Sequence, residues 1–110
     1  MSKSIFQQMS DAAQKIQFIS KCLTTLSNKE NSKEIVDSFK RSSDFLLRSA
    51  KTRIIDYRKL LSVTKEIRKD AEKIFFTSAL IDGVENHLMY KVLILEVKTL
   101  YGIVNDALNP

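Results

Sequence analysis

The chain holds two glycines, one proline, one cysteine and one histidine in 110 residues, and each scarcity removes a class of protein. Turn-rich β architectures need Gly and Pro at many strand ends. Two glycines and a proline at the last position leave long helical windows instead. No GxGxxG, P-loop or GxSxG motif occurs, and two glycines could hardly build one. The lone Cys22 cannot form an intramolecular disulfide, so an oxidising compartment gains no support; it reads as a small core hydrophobe. Cys22 and His87 fall short of the four N/S ligands of a zinc site. Glu85 and His87 are two apart and face different ways, unlike the inward Glu-x-x-His pairs of carboxylate metal sites. No metal and no cofactor is expected.

Long apolar runs are missing too. The most apolar, Val92 to Leu95, is bounded by Lys91 and Glu96 and is far too short to span a membrane. The first fifteen residues lack the apolar core of a secretory signal. A cytoplasmic, soluble protein is the expectation.

What is present is ordinary for a folded domain: 44% hydrophobic and 28% charged residues, in one domain over residues 1–110 with no visible repeat or linker. The net charge of +5 sits in the centre. Residues 1–34 sum to +2, 35–80 to +5 and 81–110 to −2.

The chain is organised around 31–81, a stretch without Gly or Pro. At 100° per residue, Ile35, Phe39, Leu46, Ala50, Tyr57, Leu60, Leu61, Ile67, Ala71, Ile74 and Phe75 share one face. Lys40, Arg41, Arg48, Lys51, Arg58, Lys59, Lys65, Lys69 and Lys73 share the other, in one phase from end to end. One straight helix would be about 70 Å long and would leave half its apolar stripe in water unless it dimerised. A break at Ser49-Ala50-Lys51-Thr52, with Ser49 or Thr52 capping a new helix, gives four helices of ordinary length. The two solutions predict a homodimer and a monomer respectively.

On either side, helices are predicted with seams of their own. Ser4 and Gln7 make a capping box. Behind it Ile5, Met9, Ala12, Ile16, Ile19, Leu23 and Leu26 step by four and three, with Phe6, Ala13 and Phe18 widening the seam. Ser27 to Ser32 reads as a loop, with Asn31 or Ser32 capping the next helix. Asp82-Gly83 ends the central stretch, and a last helix runs from about Val84 to Leu108. It carries two seams. Leu93, Val97, Leu100, Val104 and Leu108 form one; Leu88, Val92, Leu95 and Ile103 form another beside it. So wide an apolar surface belongs to the most buried helix, or to one that also faces a partner. Its acids Glu85, Glu96 and Asp106 are placed to pair with the basic helix.

The fold expected is all-α, an antiparallel bundle of three or four helices. His87 lies on a helix near a lysine, as in phosphotransfer bundles, but Val92 follows Lys91 where those domains keep a small residue. It reads as a first-turn residue instead. No acid, base and orienting group converge, so an enzyme is not expected. The candidate binding residues are Arg48, Lys51, Arg58, Lys59, Lys65 and Lys69; Asp37, Asp44 and Glu66 offer local ion partners to Lys40 or Arg41, Arg48 and Lys69, but no acid on that face lies between Arg48 and Lys65. A solvated outer face explains such a stripe without any function. Tyr57, on the apolar side, is not offered for base stacking. These features point to a non-enzymatic module that binds a protein partner, in the manner of inhibitors, immunity proteins, chaperones or assembly subunits. Sequence-independent nucleic-acid binding through the basic face is the alternative, and leaning on anionic lipid is a third reading.

Overall fold

The computed structural model describes residues 4–26, 30–78 and 84–109. Four helices follow one another: α1 (Ile5–Leu26), α2 (Glu30–Thr52), α3 (Tyr57–Ser78) and α4 (Val84–Leu108). They form an antiparallel bundle in which α1 packs on α2, α2 on α3, α3 on α4 and α4 back on α1, with no close backbone approach across either diagonal among the described residues. The rod measures 41 × 23 × 22 Å, about the length of helices of 22 to 25 residues at ~1.5 Å per residue. Packing is most extensive within the α1/α2 and α3/α4 pairs.

The α1 seam holds where it is described. Met9, Ala12, Ala13, Ile16 and Ile19 are buried. They meet Phe39 and Leu46 of α2, Leu60, Ile67 and Ala71 of α3, and Leu93, Val97, Leu100 and Val104 of α4 in one core. The side chains of Cys22, Leu23, Leu26 and His87 lie outside the described residues, as do Asp82 and Gly83. Phe18 departs from the expectation: it does not widen the inner seam but stands half exposed on the outside.

Ser4 caps α1 as expected, its Oγ accepting from the Gln7 N–H at 3.2 Å. The return half of the box does not form, because the Gln7 side chain donates to Asp11 at 2.8 Å. The start of α2 at Glu30 lies before Asn31 and Ser32, so neither residue caps it.

The central stretch is two helices, not one. Helix α2 continues through Ser49 to Thr52, and the chain reverses over Arg53, Ile54, Ile55 and Asp56. Ser49 is buried inside α2, and the Thr52 hydroxyl donates back to the Arg48 carbonyl at 2.8 Å, so neither caps α3. Asp56 does: its Oδ1 accepts from the Lys59 N–H at 3.2 Å. A carboxylate there also meets the positive end of the helix dipole. Arg53 ends α2 in the left-handed conformation with φ 58°, its N–H on the Ser49 carbonyl at 2.9 Å. With the break in place, the reason for dimerisation through a long helix is gone.

Among the described residues a polar link spans each junction between the two pairs. Lys15 of α1 meets Glu96 of α4 at 2.6 Å. Ser38 of α2 donates to Asp70 of α3 at 2.6 Å, both buried. Helix α2 buries four serines, Ser38, Ser42, Ser43 and Ser49, which bulk too little to hold neighbours away. The Ser43 hydroxyl donates to the Lys40 carbonyl at 3.2 Å, keeping its desolvated oxygen paired.

Candidate interaction surfaces

Two surfaces stand out from the solvated remainder. The first is the outer face of α4. Its inner seam fills the core, while Leu88, Val92 and Leu95 of the second seam are 52%, 43% and 56% exposed. Spacing extends that outer seam through Thr99 to Gly102, stepping by four and three as in a helix–helix contact. Ile103 lies at its edge. Phe18 joins from α1, bordering with Val92 a groove of about 310 Å³. Five of the seven exposed large hydrophobic side chains among the described residues belong to this face. A Cβ built on Gly102 meets nothing within 4 Å, so the bundle itself does not require glycine there.

The polar frame of this face is asymmetric. Lys91 and Lys98 are exposed on the side of the seam away from α1, by their helical positions. Glu96 lies on the α1 side, held by Lys15 and not by the basic helix. Its second oxygen, Oε2, is buried without a hydrogen-bond partner.

The second surface is the corner between α2 and α3. All six cations expected to bind are exposed: Arg48, Lys51, Arg58, Lys59, Lys65 and Lys69. None is within ion-pair distance of a described carboxylate, so the pairs offered by Asp37, Asp44 and Glu66 do not form. They do not make one straight stripe either. The reversal brings Arg48 and Lys51, at the end of α2, together with Arg58 and Lys59, at the start of α3, while Lys65 and Lys69 run down α3 away from the corner.

Arg53 joins the corner cations, and sequence periodicity passes over it because it sits in the reversal. Its guanidinium stacks on the Phe6 ring at 4.9 Å, as the Lys59 ammonium does on Phe45 at 5.1 Å. Both arrangements are cation–π contacts that hold the heads in place. Ile54 is 74% exposed beside them. Tyr57 is 38% exposed, not turned to the core as its phase suggests.

The Asp70 carboxyl is tuned by its surroundings. Burial pushes the Asp70 carboxyl above its ordinary range; the Ser38 hydrogen bond opposes this, the Glu66 charge adds to it, and Lys73 and Lys69 pull it down. It sits between two helices and lines no described groove. Among the described residues no three His, Cys, Asp or Glu side chains gather to hold a metal ion, and no helix is long and apolar enough to cross a membrane.

Comparison of the chain with protein-family models, curated proteins and solved structures finds no match.

Proposed function

We propose that the protein is a non-enzymatic interaction module that docks a helix of a protein partner along the outer seam of α4. The observation that carries this is the second apolar seam, Leu88-Val92-Leu95, left in solvent by a bundle whose core is already full. Fully burying a side chain of this kind is worth roughly 1.5–3 kcal/mol. Three of them with Phe18 make the central apolar cluster on which helix-in-groove recognition depends. Gly102 allows a partner backbone to come close at one end. Lys91 and Lys98 favour a partner helix with acids along one flank.

The test is site-specific photocrosslinking in the native host, with a benzophenone amino acid at position 95 and, as control, at Arg41 on α2, diagonally across the bundle. A discrete adduct from position 95, absent from position 41 and lost when Val92→Asp is added, is the expected result. An adduct of twice the chain mass would assign the seam to self-association. Equal labelling from both positions, or none from position 95, would overturn the reading.

A further inference from the structure

The α2–α3 corner is a separate site, and we propose that it docks the bundle end-on against an anionic lipid surface. Four cations, Lys51, Arg53, Arg58 and Lys59, lie within the last turn of α2, the reversal and the first turn of α3, with Arg48 one turn back on α2. Among the described residues, Asp56, committed to capping α3, and Asp106 in the last turn of α4 are carboxylates at this end. Cationic side chains near a charged membrane each add to the affinity for its surface. A cluster of this size is therefore enough for reversible attachment but depends on low or physiological salt.

Charge alone would fit any polyanion; the apolar element selects lipid. Ile54 sits on the reversal, 74% exposed, in the middle of the cationic segment. An isoleucine there gains nothing from a phosphodiester backbone but does gain from entering the acyl boundary. Tyr57, also exposed, has the amphipathic ring suited to the interfacial layer. Beside them a groove of about 490 Å³ runs between α1 and α2, with Phe6, Leu47 and Ala50 in its walls and Lys51 and Arg53 among its polar residues. Such a groove takes a group that is apolar at one end and anionic at the other.

The backbone adds an independent sign. Arg53 occupies the left-handed position after a helix that glycine fills at least strain. Here the position holds a cation whose head is fixed over Phe6. The shape agrees as well. Nucleic-acid contact wants cations in file along a face; these five gather toward one end of a rod 41 Å long and about 22 Å wide, with Lys65 and Lys69 continuing down α3. Standing on that end, the bundle keeps the α4 seam along its side, free for a protein partner.

Vesicle co-sedimentation tests this with the full chain and two compositions: phosphatidylcholine alone, and phosphatidylcholine with about 30% phosphatidylglycerol. The expected result is binding to the anionic vesicles only, abolished by high salt. Ile54→Ser should weaken it about tenfold, since most of the apolar transfer is lost. Arg53→Gly should weaken it about fivefold while leaving the helical signal and the melting temperature unchanged or raised. Lys65→Ala with Lys69→Ala should stay within twofold. Binding to both vesicle types, binding to neither, or indifference to Ile54→Ser would overturn the proposal. So would tighter binding to a DNA or RNA oligonucleotide that is lost with Lys65 and Lys69, which would assign the cations to phosphodiester contacts.

Discussion

Helices α2 and α4 have similar lengths and stand at opposite corners of the same bundle, yet they use their sequences differently. Helix α2 divides cleanly: Phe39, Leu46 and its four serines face inward, and Lys40, Arg41, Asp44 and Arg48 face water. Its apolar content is consumed by the fold. Helix α4 buries Leu93, Val97, Leu100 and Val104 and then presents Leu88, Val92 and Leu95 to solvent as well. An amphipathic helix needs nothing beyond its bundle, whereas one that is apolar on both sides has surface the fold does not use. Surplus of that kind marks where a domain meets another molecule.

The sharpest way to break the comparison is to place the same charge on each helix. Leu46→Asp puts a carboxylate at a position with no exposure. The cost, several kcal/mol, is of the order of the roughly 5–10 that a domain this size has to lose. Loss of helical circular dichroism and of a cooperative melt is expected. Leu95→Asp should leave both intact, because the outer seam contributes little to the monomer. If Leu95→Asp also unfolds the protein, the seam belongs to the fold and the distinction between the helices disappears.

A smaller effect separates the polar links. Ser38→Ala removes the donor to a buried carboxylate, and a loss of about 1–3 kcal/mol is expected in chemical denaturation. Asp70→Asn should act the other way. Because burial raises the folded-state pKa of Asp70, the native protein holds its proton more tightly than the unfolded chain does. The stabilisation is fully present below the ordinary carboxyl pKa, about 3.9, and is lost as pH rises through the raised value. At pH 7 the charged side chain is a liability. Asp70→Asn should therefore melt higher than the parent at pH 7, with the gap narrowing as pH falls toward 4. A parent that gains stability relative to the variant on going from pH 4 to pH 7 would contradict the shift.

The smallest effect is at Gly102. With open space around its missing Cβ, Gly102→Ala should stabilise the free bundle by about 0.5–1 kcal/mol through helix propensity alone. The same methyl group would stand in the path of a closely packed partner helix. A variant that melts higher yet captures its partner less well would sharpen the assignment of the outer seam.

Much of this was legible in the chain. The bounds of α4, the Ser4 cap and the described inner positions of α1 follow from local rules, and they hold. The reversal was legible only in part. Its neighbourhood follows from length, but Asp56 and not Ser49 or Thr52 caps α3. The apolar phase runs unbroken from Ala50 to Tyr57 and Leu60, so periodicity registers no interruption where the chain turns back. Phe18 was misplaced for a related reason: its phase puts it near the seam, but whether a neighbour covers that flank depends on a helix 70 residues further on.

Side-chain period and net charge are properties of neighbouring residues, so the chain alone carries an all-α bundle of three or four helices, most of the apolar positions that turn inward, and the concentration of positive charge in the centre. Only the tertiary structure decided which seam of α4 is buried, that the cations gather at a corner, and that Ser38 meets Asp70. Those outcomes depend on which helices pair and in which direction. Contacts between residues far apart in the chain set that pairing, and no local period encodes them.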